Sequence, residues 1–142
     1  MIIQLKYPPP NFQIKKKEDK TFIFDAYRKR WILLTPEEWV RQNFLNYLVY
    51  QKNYPASLIA VEQQIHLNDK KKRFDIAVYK NNLPWMLVEC KEMEVKLSTQ
   101  TIDQILSYQQ KLQTQFLVLT NGNETFCWDT LNAVALTALP NY

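Results

Sequence analysis

A single glycine, Gly122, occurs in 142 residues. No Gly-rich phosphate-cradling loop of the Walker type can be built, and backbone punctuation falls to Pro and Asn. Two cysteines, Cys90 and Cys127, are too few for a disulfide framework. Cys90 lies inside an apolar strand pattern and reads as a buried thiol. With one histidine, a His/Cys zinc site is excluded in practice. His66 reads as an ordinary strand or loop residue, and nothing suggests a His general base. No apolar run approaches the roughly 20 residues that cross a bilayer. Met1 to Pro10 lacks the basic-then-apolar order of a signal peptide. These absences predict a cytoplasmic protein.

What is present is ordinary for a folded domain: 46% hydrophobic and 23% charged residues. A chain of this length buries roughly two-thirds of its unfolded surface, so one core needs no covalent staple. Aromatic residues make up 13%, and some are expected to line a surface or groove. The net charge of +4 and pI near 9.0 suit a polyanionic partner. Two basic runs stand out. Lys15 to Lys17 is expected to be a solvated loop. Lys70 to Arg73 lies just before Asp75, so Lys71, Lys72 and Arg73 are expected to flank a site there and touch phosphate.

Local signals divide the chain into a lead-in (1–34), a core (35–130) and a tail (131–142), all in one domain. Phe22 to Phe24 and Trp31 to Leu34 read as short strands. Thr35 and Pro36 open a helix as N-cap and first residue, with Glu38 completing a Thr-x-x-Glu capping box. Val40, Phe44, Tyr47 and Leu48 give it a buried stripe, and it runs to about Gln51. Three strands follow: Leu58 to Leu67, with Ile59, Val61 and Ile65 on one face; Arg73 to Tyr79; and Trp85 to Lys91. The last two form a hairpin through Asn81 to Pro84. Ser98 caps a second helix with the stripe Ile102, Ile105, Leu106 and Leu112. Phe116 to Leu119 and Thr125 to Trp128 then pair around Asn121-Gly122. This order implies a crossover with parallel pairing and a mixed sheet covered by helices. The tail from Ala133 carries no clear pattern.

Asp75 and the segment Glu89-Cys90-Lys91 carry the chemistry. Glu89 and Lys91 are two apart on a strand and leave the same face, with Cys90 directed into the core. The hairpin brings Asp75 beside Glu89. Unpaired charge at the end of an apolar strand is costly, so these groups need partners or a metal. Two convergent carboxylates suit Mg²⁺ or Mn²⁺, and a neighbouring ammonium can orient water and offset developing negative charge. The same spacing also allows a structural ion pair in which Lys91 balances Asp75 or Glu89.

The stretches RFDIAVY and PWMLVECK resemble the PD-(D/E)XK nucleases, in particular the N-terminal nuclease domain of type I restriction enzyme R subunits. The likeness runs from Leu33 to about Trp128. It takes in LTPEEWVRQ, the acid of FDI (Asp75), the E-x-K of VECK (Glu89 and Lys91), Gln104-x3-Tyr108 and LTNG. It implies an α/β (α+β) restriction-endonuclease-like fold: about four core strands flanked by helices, in the order αβββαβ with a following strand. It implies Mg²⁺ (or Mn²⁺) held by Asp75, Glu89, the Cys90 backbone carbonyl and waters, with Lys91 acting on the attacking water. Gln104 would join the catalytic set, and Tyr108 would contact nucleic acid. Glu38 is either a helix cap or the first-helix acid that contributes to the site in some relatives.

The implied activity is endodeoxyribonuclease, linked to restriction-modification or DNA repair. The implied partners are DNA and either a second copy or a larger complex, with no membrane. The competing readings are a catalytically silent nucleic-acid-binding or complex-assembly module, and an interaction protein that uses its sheet edge. No Walker loop, motor or target-recognition segment is expected in the chain, which sets it apart from a complete R subunit.

Overall fold

Apolar residues of the meander between Ile59 and Cys90 build the centre of the molecule. The computed structural model describes all residues from Met1 to Tyr142. Strands β1 (Ile14–Lys17), β2 (Lys20–Asp25) and β3 (Arg30–Leu33) form an antiparallel sheet of their own. Helix α1 (Pro36–Asn46) follows and continues as a π-helical turn through Tyr47–Gln51. Strands β4 (Ile59–Leu67), β5 (Lys70–Lys80) and β6 (Leu83–Cys90) are an antiparallel meander. Helix α2 (Thr99–Leu106) then crosses over, so that β7 (Phe116–Thr120) pairs parallel to β6. Strands β8 (Thr125–Asp129) and β9 (Val134–Ala135) complete a six-stranded mixed sheet in the order β4-β5-β6-β7-β8-β9. The αβββαβ order with a following strand is the one the resemblance implies, and two short or irregular edge strands extend the sheet beyond four.

The sheet buries both faces. Val40, Phe44, Leu45 and Leu48 of the first helix pack on Ile76, Val78, Met86 and Val88. Ile105 packs on Phe74, Ala77, Leu87 and Leu117 from the other side. Strands covered on both faces read as continuous apolar runs, which is why β6 and β7 carry Met-Leu-Val and Phe-Leu-Val-Leu. No helix is long and apolar enough to cross a membrane.

Several local expectations are corrected. Lys15 to Lys17 is a strand and not a loop. Lys70 to Arg73 opens β5, so its side chains alternate between faces and do not form one patch. The β5–β6 hairpin closes on two residues: Asn81 and Asn82 both take positive φ (53° and 65°), as a primed turn requires, and Asn tolerates that region well. Helix α2 ends at Leu106, followed by turns, so Leu112 packs on that face from outside the helix. The unpatterned tail is anchored. Leu139 is buried, the Tyr142 ring packs on Tyr54 and Trp85, and its hydroxyl donates to the Tyr79 carbonyl.

One irregularity bears on function. Ile59 and Val61 of β4 pack with the α1 side, whereas Ile65 packs with the α2 side, so the three do not share a face. On β5, Phe74 lies on the α2 side but Ile76 on the α1 side. Strict alternation breaks on both strands at one level, between Val61↔Ile76 and Gln63↔Phe74. Glu62 sits at the break with φ of 54°, and Asp75 lies across from it. A local break of this kind bends a strand and re-aims a side chain.

Phe44 is fully buried between α1 and the sheet. Phe44→Ala is expected to cost about 3–5 kcal/mol in urea unfolding. Leu83→Ala, at a side chain 56% exposed, should change stability by less than about 0.5 kcal/mol in the same experiment.

Candidate active site

The break in β5 turns Asp75 toward the end of β6. Its Oδ2 accepts the Cys90 backbone N–H at 2.7 Å, which ties the acid directly to the Glu89-Cys90-Lys91 segment. Its Oδ1 accepts from Arg41 Nη2 of α1 at 2.6 Å. Asp75 is thus held by one neutral and one charged donor, and charge-assisted bonds of this kind are the strong ones.

Arg41 and Arg28 together gather five carboxylates. Arg41 pairs with Glu38 and Asp75, with Glu37 at 3.5 Å and Glu62 at 3.7 Å. Arg28, in the β2–β3 turn, pairs with Asp25 and with Glu38 at 2.7 Å, and reaches Glu62 at 3.7 Å. Burial pulls the Arg41 guanidinium down, but the hydrogen bond and charge of Asp75 outweigh it and hold it above its ordinary value. Glu37 is pushed up, first by burial and then by the Asp75 charge, with Arg41 and Lys91 opposing.

The first-helix acids divide their work differently from expectation. Thr35 Oγ1 accepts from the Glu38 N–H at 3.1 Å, so the N-cap is real. The Glu38 carboxylate does not turn back to complete a capping box: Arg28, Arg41 and Gln42 all donate to it. With its oxygens so engaged and 4% exposed, Glu38 is a structural anchor. Glu37 is the first-helix acid that feels Asp75 and Lys91.

Glu89 lies on the α2 side of β6, between the apolar rows of Leu87 and Leu119. Lys72 Nζ lies 2.5 Å from Glu89 Oε1, a close ion pair that compensates this buried carboxylate. Burial lowers Lys72, and the Glu89 bond and charge outweigh it, leaving the ammonium above its usual value. Lys72 also lies over the rings of Phe74 and Tyr108, 5.5 and 5.8 Å from their centroids. Lys72 therefore serves Glu89, while Lys71 and Arg73 are exposed. Lys91 is half-buried, its N–H donating to the Thr120 carbonyl at 2.8 Å. Cys90 is buried on the α1 side, and burial followed by the Asp75 charge pushes its thiol well up, leaving it inert as a nucleophile. Gln104 is exposed on α2; Tyr108 lies beyond the helix end, so the two do not share a helical face.

The donors present suit a hard divalent cation. Two carboxylates are present, Asp75 paired with Arg41 and Glu89 paired with Lys72. No group of three His, Cys, Asp or Glu side chains converges. The residues that sequence reasoning missed are Arg41, Arg28 and Asp25. Arg41 alone had a visible signal, lying three and four residues after Glu38 and Glu37 on one helical face.

Residues 36–140 match the family model described as type I restriction enzyme R protein N terminus (HSDR_N), and the chain belongs to that family. No curated protein matches the chain. Among solved structures, it is similar to a candidate nuclease belonging to DUF820 from Anabaena variabilis ATCC 29413, at 11% identity, 87% coverage of this chain, 80% of that one and a TM-score of 0.49.

Two outcomes are expected of the charge network. Removing Arg41, which is 6% exposed, strands Asp75 and Glu38; Arg41→Met should destabilise the protein by about 3–5 kcal/mol in chemical denaturation. The raised Glu37 carboxyl makes the opposite contribution. Its ionisation opposes folding once pH rises above the ordinary value of 4.5, and contributes nothing below it. Glu37→Gln should therefore raise the melting temperature at pH 7 and leave it unchanged at pH 4, measured without metal.

Proposed function

We propose that the chain is a Mg²⁺-dependent endodeoxyribonuclease of the PD-(D/E)XK type, acting in the cytoplasm within a restriction or repair system. The observation that carries this reading is the bond from the Cys90 N–H to Asp75 Oδ2, which joins Asp75 to the Glu-Cys-Lys segment across two strands. Membership of the type I R protein N-terminal family supports it, and with it DNA as substrate and a larger complex as partner.

Asp75, Glu89 and the Cys90 carbonyl would hold the ion. When bound, Mg²⁺ or Mn²⁺ supplies a lowered pKa for water and charge neutralisation at phosphate. Arg41 keeps Asp75 oriented through Oδ1. The Lys91 ammonium orients the attacking water and offsets negative charge as the phosphodiester bond is cut. Lys71 and Arg73, exposed on the strand that carries Asp75, take phosphate contacts beside the site. Gln104 and Tyr108 contact the nucleic acid beside the site.

A second reading has an observation of its own. Asp75 is countered by Arg41 and Glu89 by Lys72, so both acids are compensated by protein bases. This favours a silent nucleic-acid-binding module with the nuclease fold.

The readings separate in one experiment: plasmid incubated with Mg²⁺ or Mn²⁺ and wild type, Asp75→Asn or Lys91→Ala. The nuclease reading expects cutting by wild type and at least a hundredfold loss in each variant. It further expects Lys91→Ala to keep its Mn²⁺ affinity in calorimetry and its melting temperature without metal. A wild type that neither cuts DNA nor binds Mn²⁺ moves the assignment to the silent module.

A further inference from the structure

The three-stranded sheet β1–β3 lies outside the family match, which begins at residue 36. Residues 1–35 contain eight Lys and Arg against three Asp and Glu, a net +5. The remaining residues contain ten against eleven, a net −1. The whole positive excess of the protein therefore sits in the lead-in, most of it on this sheet.

Alternation sorts its side chains. Ile23 and Asp25 point inward and are fully buried. The opposite face carries Phe22 and Phe24 from β2, Trp31 and Leu33 from β3, and Lys15 and Lys17 from β1, with Lys20 at the strand end. The register sets Lys15, Phe22 and Leu33 in one row and Phe24 against Trp31 in the next. Trp31 is 36% exposed and Leu33 46%. The Phe24 and Trp31 rings meet edge to face at 5.5 Å, and Lys15 Nζ lies 4.2 Å from the Trp31 centroid. Phe24 also forms a wall of a cavity of about 160 Å³, shared with Tyr27 and Tyr50 and edged by the amides of Asn11, Gln42 and Asn46.

Aromatic rings on an open sheet face, interleaved with lysines, are a surface for splayed bases. Duplex DNA keeps its bases stacked inside and offers such rings nothing to stack on. A single strand offers both bases and phosphates. The Lys15 contact with Trp31 is an exposed cation–π contact, weaker than a base–aromatic stack. A base can displace it, freeing the ammonium for the phosphate.

We propose that the outer face of β1–β3 is a binding platform for single-stranded nucleic acid. Bases stack on Trp31 and on the Phe22 and Phe24 rings, and Lys15, Lys17 and Lys20 contact the phosphates. The platform is separate from Asp75 and Glu89 and does not depend on the metal chemistry proposed for them.

The test is fluorescence anisotropy of a labelled oligothymidylate and of a duplex of equal length, with the full chain in EDTA. Cleavage is then off, and the result is independent of the nuclease reading. Trp31→Ala is expected to weaken oligothymidylate binding about tenfold, and Trp31→Phe to keep most of it. Replacing Lys15, Lys17 and Lys20 by Ala should reduce the salt slope by about 2, at ~0.7 per contact. Leu33→Glu, at an exposed position that does not perturb the core, should weaken binding through charge alone. Equal affinity of wild type, Trp31→Ala and Leu33→Glu for the oligothymidylate overturns the proposal. So does a preference for duplex that ignores Trp31, since the basic residues would then act as a plain polyanion contact.

Discussion

Five carboxylates share two guanidiniums at the head of the large sheet, and the chain folds around that imbalance. Asp25 and Glu38 are all but inaccessible. A buried carboxylate without a partner is untenable, since its desolvation amounts to several kcal/mol even after relaxation. Arg28 and Arg41 answer this from different elements: one in the β2–β3 turn, the other in α1. Because Arg28 reaches Glu38, and Arg41 reaches Asp75, the network bonds the small sheet to the helix and the helix to β5. The small sheet thus holds to the body by charge as well as by the buried Ile23 and the Tyr27 ring, where the large sheet holds to its helices chiefly by apolar area.

The same network fixes what the candidate site can do. Asp75 is aimed by a break in strand alternation, pinned by an amide and offset by Arg41. Glu89 sits among apolar rows with only Lys72 to offset it. These are two acids in unlike surroundings: Asp75 is hydrogen-bonded on both oxygens, and Glu89 is paired with a single ammonium. For the proposed nuclease, a cation would have to displace Arg41 from Asp75 and Lys72 from Glu89. Lys72, packed over Phe74 and Tyr108, stands where a change in Glu89 would be felt by the aromatic pair.

The element order could be read in the sequence because each element has a strong local signal. Thr35-Pro36 starts α1, Asn81-Asn82 turns the hairpin, and the two-sided apolar runs mark β6 and β7. The pairing of β5 with β6 followed from hairpin geometry, whereas the bond from the Cys90 N–H to Asp75 depends on the alternation break. What escaped was of two kinds. The alternation break at Glu62 and Asp75 has no local signature, since neither residue is glycine and tertiary charge pairing sets their conformation. The fate of Glu38 was hidden as well. A capping box and a buried ion-pair anchor look alike in sequence, and only the position of Arg28, ten residues earlier, decides between them. Lys15 to Lys17 misled for a related reason: an edge strand protected by lysines resembles a solvated loop.

The charge distribution across the two sheets follows from these constraints. A centre that gathers Glu37, Glu38, Glu62, Asp75 and Glu89 repels phosphate unless its acids are compensated, and its own bases are consumed in doing so. Arg28, Arg41 and Lys72 are each committed to carboxylates. The family-matched portion is net negative, although Lys70, Lys71, Lys80 and Lys91 among its cations pair with no carboxylate. Attraction comes from residues with no structural acid to serve. Lys15, Lys17 and Lys20 meet that condition: all are exposed, and none is paired with a carboxylate. Within a Debye length of about 8 Å such charges act locally, and farther away they act mainly on the rate of encounter. The basic sheet is therefore suited to attract a polyanion, as the platform proposed for its outer face requires.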